Sequence, residues 1–155
     1  VHIEPTKQAP TRAQIEGLQH NLSSLPQVEL PTEHYFSNGM YCRKMIIPSG
    51  IVIVGKAHKE PHFFILASGQ MKVWTDQGEL ILNSGDVIPS PSGVKRVLMT
   101  ITDCIGMNVH RTDKTDLDEI EKELIEEDET AMFDARNQLK KPIIQHEGKL
   151  CLYQP

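Results

Sequence analysis

The sequence lacks a Cys-x-x-Cys pair. Its three cysteines, Cys42, Cys104 and Cys151, are odd in number and widely spaced, which argues against a zinc knuckle or a dithiol redox pair. Reduced thiols are the simplest reading, and they place the expected protein in the cytoplasm. No apolar run approaches the roughly 20 residues that span a bilayer, and the polar opening segment has no signal-peptide core, so neither membrane insertion nor secretion is expected. The basic surface of a general nucleic-acid binder is also missing: the formal net charge is -5, with 24% charged residues. Any cationic site must therefore be local. The chain shows no internal repeat and no low-complexity tract.

What is present suits one soluble domain, because 155 residues can bury one sizeable core but rarely two. Residues 1–34 read as an N-terminal helix and linker. Thr11 and Gln14 form a capping-box pattern ahead of Ile15, Leu18 and Leu22, and Pro26 and Pro31 then bracket an extended stretch. Residues 35–112 change texture to short β-rich runs: Tyr41 to Ile47, Ile51 to His58, His62 to Ala67, Met71 to Trp74, Glu79 to Leu82, Val94 to Thr100 and Cys104 to His110. Turn chemistry separates them, including Pro48-Ser49-Gly50, Ser68-Gly69 and Pro91-Ser92-Gly93. Residues 113–155 read as a C-terminal helix and tail packed on the same domain. There Thr115 and Asp118 suggest a cap, and Leu117, Ile120, Leu124 and Ile125 share one stripe. A further helical turn is expected around Met132 to Leu139, and Leu150 to Tyr153 suggest an edge strand or tail.

The stretch GIVIVGKAHKEPHFFILASG (Gly50 to Gly69) and the stretch GDVIPSPSGVKRVLMT (Gly85 to Thr100) together resemble the two motifs of the cupin superfamily. Gly85, Pro91 and Gly93 keep the family spacing. The resemblance implies an all-β core, a cupin-type double-stranded β-helix or jelly-roll barrel, with a short N-terminal helix and a C-terminal helical extension. It also puts Lys56 and His58 in the two histidine slots of the first motif, His62 in the glutamate slot, Arg96 in the histidine slot of the second motif and Thr100 in its asparagine slot. Of the metal-ligand slots, only that of His58 keeps its residue type. At finer grain, PTEHYF, GKAHKEPHFFILASGQMKVWT, SGVKRV and VHRTDKTDLDEIEKELI are similar to a group of small phage-encoded cupin-like proteins, over about residues 31–127.

In a strand alternate side chains share a face, so Lys56 pairs in direction with His58, and His62 with Phe64 and Leu66. The cupin resemblance turns both sets into the barrel, where Arg96 joins them. Tyr41 and Arg43 share a face and are further candidates for the same pocket. Three readings follow. In the first, Lys56, His58, His62, Arg96, Tyr41 and Arg43 bind a small anion bearing a phosphate, nucleotide or carboxylate group, since arginine offers a planar fork and lysine a point charge. Phe63 or Phe64 and Trp74 would add a flat wall. With the phage resemblance, this reading implies capture of a nucleotide-like host defence signal in the host cytoplasm.

In the second, His58 and His62 hold a divalent metal for isomerase or oxygenase chemistry; two histidines are too few for a stable site, and nearby cations oppose a dication. No cofactor is therefore assured, and whether the protein is an enzyme stays open. In the third, the barrel is a structural or oligomerisation module, with a homodimer as the expected assembly. His110 shares a strand with Ile105, Met107 and Val109, which take the apolar face, so it is expected to point away from the pocket. Lys95 is expected at the rim, and His34 in solvent.

Overall fold

Thr11 stands where the chain first turns helical. Its hydroxyl accepts from the Gln14 amide at 3.2 Å while the Gln14 side chain accepts from the Thr11 amide at 2.9 Å, closing the expected capping box and opening α1 (Arg12–Ser23). The computed structural model describes residues 8–140, together with the backbone of three two-residue strands: β1 (His2–Ile3), β11 (Ile143–Ile144) and β12 (Leu150–Cys151). Between α1 and the second helix run β2 (Thr32–Ser37), β3 (Met40–Ile47), β4 (Val52–Val54), β5 (His62–Ser68), β6 (Gln70–Thr75), β7 (Gly78–Asn83), β8 (Val87–Ser90), β9 (Val97–Thr100) and β10 (Cys104–Arg111). α2 (Leu117–Leu124) follows.

These strands build two antiparallel five-stranded sheets, in the orders β1-β7-β6-β9-β4 and β2-β3-β10-β5-β8. The sheets face each other over a core in which Ile47, Leu66, Met71, Val73 and Leu82 are fully buried. This is the expected cupin-type jelly roll: hydrophobic residues recur at every second position, and pairing the two inner faces removes them from water. Strands β3, β5, β6, β7 and β10 fall where the period-two runs place them. Neither β8 nor β2 was legible, and the short β1 and β11 were not expected either. Pro89 and the nearby Pro91 mask β8, which tolerates proline because it lies at a sheet edge. β2 opens at Thr32 within the expected linker, in a polar stretch with no apolar alternation.

Three local expectations are corrected. The predicted strand from Ile51 to His58 pairs only over Val52–Val54, because the chain leaves β9 at Gly55, whose amide bonds the Arg96 carbonyl. The cap of α2 is Asp116 rather than Thr115; its carboxylate accepts from the amides of Asp118 and Glu119, each at 3.0 Å. No helix forms around Met132 to Leu139. That segment instead makes a turn bridged between Phe133 and Leu139, with the Asp134 side chain accepting from the amides of Arg136 and Gln138. The tail expected at Leu150 to Tyr153 lies outside the described residues, apart from the pairing of β12 with β11. Among the described residues no helix is long and apolar enough to cross a membrane.

The pleat of β10 runs opposite to expectation. Cys104, Gly106, Asn108 and His110 are buried, while Ile105, Met107 and Val109 face outward and are half-buried. The outer face of this sheet is unusually apolar, with Phe63 51%, Val87 42% and Ile46 41% exposed. An apolar alternation on β10 therefore marks the outside, and the polar set goes in. Gly106 is the reason the inward set fits: a side chain there would begin 3.1 Å from the Phe64 ring.

Candidate functional site

Strands β3, β4, β5, β9 and β10, both helices and the loops between them line one cavity of about 490 Å³. His62 opens β5, and across the ladder from it stands Ser90 of β8. Arg96, just before β9, donates a short hydrogen bond from Nη1 to the Ser90 hydroxyl, which holds the guanidinium beside His62. On β10, Asn108 faces Arg43 of β3 and His110 faces Tyr41. His58 comes from the loop after β4 and is fastened from both sides. It bridges to Ile125 at the end of α2, its carbonyl accepts from Gly93 at 2.8 Å, and the flanking Ala57 and Lys59 bond the backbone at Glu126 and Leu124. The glycine of the Pro-x-Gly turn thus serves to anchor a histidine.

The result is a stack of imidazoles. The ring centroids of His58 and His62 lie 4.0 Å apart, those of His62 and His110 4.5 Å, and those of His58 and His110 4.8 Å. One ring nitrogen from each residue falls within 4.8 Å of the others. Burial, reinforced by mutual repulsion and by the Arg43 and Arg96 charges, pushes His58 down to about 2. Burial likewise pushes His62 and His110 down to about 4 each. All three are neutral at physiological pH, each ring offering one donor and one acceptor nitrogen. The Nδ1 atoms of His58 and His110 are buried without a hydrogen-bond partner.

Two guanidinium groups border this stack. Among the described residues neither Arg43 nor Arg96 meets a carboxylate at ion-pair distance, and the Nε of each is buried and unsatisfied. Burial lowers the pKa of both, so each cation is held partly out of water. Lys56 also lines the cavity, but its ammonium is paired with Glu121 of α2 through a short contact. Tyr41 is buried, its phenol pushed up to about 12 by burial, and shares a 2.7 Å hydrogen bond with His34.

The six residues singled out from the sequence therefore all line one cavity. Lys56 does so with its charge already matched. His110 corrects the expectation that it points away: it is 4% exposed and belongs to the stack, because the pleat of β10 is reversed. Asn108 enters on the same face and was missed for the same reason. The signal that could have found both is Gly106, an inward gap at the parity of Asn108 and His110. Of the expected flat walls, Phe64 lines the cavity, whereas Phe63 faces outward and Trp74 lies beneath Lys72 in the opposite sheet. Lys95 is not at an exposed rim; it is 7% exposed and 3.5 Å from Asp128. His34 is stacked on Tyr41 rather than free in solvent.

No family model and no curated protein sequence matches the chain. Solved structures of similar fold include cupin-domain proteins. A cupin-2 domain protein from Shewanella frigidimarina matches 59% of this chain and 90% of its own, at 15% identity and a TM-score of 0.46. The Cnp3 cupin domain of Schizosaccharomyces pombe matches 59% of this chain and 67% of its own, at 18% identity and a TM-score of 0.48. A salicylate 1,2-dioxygenase from Pseudaminobacter salicylatoxidans matches 63% of this chain but 31% of its own, at 17% identity and a TM-score of 0.49. The likeness is one of fold.

Proposed function

We propose that the protein binds a small anionic ligand inside the jelly roll, between Arg43, Arg96 and the His58–His62–His110 stack. The observation that carries this reading is the pair of guanidinium groups that, among the described residues, meet no carboxylate at ion-pair distance and keep a buried, unsatisfied Nε each. A buried cation without a counter-charge costs several kcal/mol, and a bound anion removes that cost by forming charge-assisted hydrogen bonds. The neutral imidazoles add N–H donors that need no proton uptake. The resemblance of the sequence to phage proteins favours capture over turnover. Calorimetric titration of the full chain with phosphate, adenosine monophosphate and aliphatic carboxylates tests binding, and recovery of the ligand unchanged tests capture. Arg43→Met and Arg96→Met should each weaken the bound anion by about ten- to a hundredfold, the value of a charged hydrogen bond. Wild-type affinity in both variants would overturn the reading.

A second reading has its own observation. Three neutral imidazoles with ligand atoms inside 4.8 Å, two of them carrying orphaned Nδ1 atoms, are a donor set that fits a divalent transition metal. His58, His62 and His110 would hold it, and a metal there supplies Lewis acidity beside the arginines. Without an anion in place, Arg43 and Arg96 oppose a dication at this point. Metal analysis and native mass spectrometry on protein purified without chelator separate the readings: a stoichiometric metal lost in His110→Ala supports this one, a co-purified anion the first.

A further inference from the structure

The cavity lining divides into two chemical sets. The cationic set is compact, since Arg96 is tied to the strand opposite His62, Arg43 faces Asn108, and the three imidazoles stack on one another. Much of the remaining wall is hydrocarbon. Met45, Phe64 and Leu98 line it from the sheets, and Leu117, Ile120 and Leu124 from α2.

Most polar groups elsewhere on that wall are already engaged; among the described residues the exception is Gln19 Oε1, which is buried without a hydrogen-bond partner. The Gln27 amide donates to the carbonyls of Leu22 at 2.8 Å and Leu25 at 2.9 Å, and the Asn137 amide to the Leu30 carbonyl and the Thr32 hydroxyl. The Gln19 amide nitrogen donates to Asp128 and Thr130, and the Lys95 ammonium lies against Asp128. A ligand rich in hydroxyl groups or base edges would leave its own polar groups unpaired along this surface.

Volume points the same way. About 490 Å³ lies within the range of pockets that enclose whole organic ligands, whereas a bare phosphate or acetate would fill little of it and leave the apolar wall wet. Taking as its basis the anion-binding reading above, we infer that the ligand is an amphipathic carboxylate. Its head group lies between Arg43, Arg96 and Asn108, and a saturated or aryl body runs along Phe64, Leu98 and Leu117.

The test is a homologous series, acetate, hexanoate and decanoate, titrated into the full chain alongside inorganic phosphate and adenosine monophosphate. Affinity should rise roughly fourfold per methylene while the chain remains within the wall, the increment expected for burying one such group. Arg43→Met/Arg96→Met should abolish the gain from head group and tail together. Leu117→Gln, at a half-buried helix position, should flatten the chain-length dependence, with circular dichroism verifying the fold. Binding of phosphate or the nucleotide with no gain from acetate to decanoate would overturn this inference and leave the anion reading standing. Decanoate held equally well by the double arginine variant would also overturn it, since the tail alone would then bind. Absence of binding by every anion in the set would remove both.

Discussion

The His58 and His110 rings lie parallel, within 2° in plane and 4.8 Å between centroids, though one comes from a loop and the other from the far end of β10. Neither ring can take a proton without placing a buried cation against its neighbour and near Arg43.

A pH dependence of stability follows, with a definite sign. In the unfolded chain each histidine returns to its ordinary value of 6.5, whereas in the fold His62 and His110 sit near 4 and His58 near 2. Below 6.5 the unfolded state takes up protons that the folded state refuses, so the contribution is complete above that pH and drains away as pH falls towards 4. The slope for each fully mismatched histidine approaches about 1.4 kcal/mol per pH unit. Urea midpoints in chelator should fall steadily from about pH 7 to about pH 5, and His110→Asn should make the fall shallower. Identical slopes in the two proteins would show that the stack is not the cause.

Gly69 supplies a second prediction. It sits at φ +93°, and a Cβ placed there would lie 2.2 Å from the Asp103 carbonyl oxygen and 2.7 Å from Cys104 Sγ. Neither the backbone conformation nor the space admits a side chain, and the nearest atom is backbone that cannot swing aside. Gly69→Ala should therefore cost about 3 kcal/mol or more and lower the thermal midpoint by about six to twelve degrees or more. A change within a few degrees would mean that the turn between β5 and β6 can be rebuilt. This glycine closes the first cupin-like motif, so the motif position has a steric cause.

How far the sequence could be read depended on whether a signal was local. The capping box of Thr11 and Gln14, the period-two runs of β3 and β6, and the turns at Gly50 and Gly69 each arise from residues near one another in the chain, and all were legible. Tyr41, Arg43 and His62 line the cavity from strands whose parity could be read, whereas His58 and Arg96 come from loops, where only the motif spacing pointed to them. Parity failed on β10, because which face of a strand is inside depends on the whole sheet. Here the outer surface carries Ile46, Phe63 and Val87, so the apolar set of β10 belongs to the outside and His110 to the pocket. The pairing of Lys56 was equally hidden. Its partner Glu121 lies on α2, far along the chain, and helix docking cannot be read from spacing.

Gly106→Ala tests the reversed pleat directly. The added methyl would meet the Phe64 ring carbons at 3.1 and 3.2 Å and Ile47 Cδ1 at 3.7 Å. Overpacking of this kind costs about 1–3 kcal/mol. Because Phe64 also lines the cavity, displacement of its ring should weaken decanoate more than acetate. Phe64→Leu in the same background should recover part of the stability by making room. If Gly106→Ala proved neutral in both stability and binding, the inward course of this part of β10 would be in error.

The Lys56–Glu121 pair gives the last prediction, which separates a charge that binds from one already matched. The Lys56 ammonium contacts the Glu121 carboxylate, and the same carboxylate is the acidic group whose field reaches Arg43. Removing the lysine leaves the Glu121 carboxylate uncompensated beside Arg43, so Lys56→Met should lower anion affinity by a few-fold at low salt, a loss that fades as ionic strength rises. Removing the acid does the opposite. Glu121→Gln releases Lys56 and strips from Arg43 its neighbouring negative charge, so anion affinity should rise several-fold at low salt. The gain should shrink as ionic strength increases, because the pair is only partly buried and its field is screened. The double variant should return to near the wild-type value, since the two charges act through each other. A large loss in Lys56→Met, or a loss instead of a gain in Glu121→Gln, would assign the lysine a direct contact with the ligand and break the division of labour between Lys56 and the two arginines.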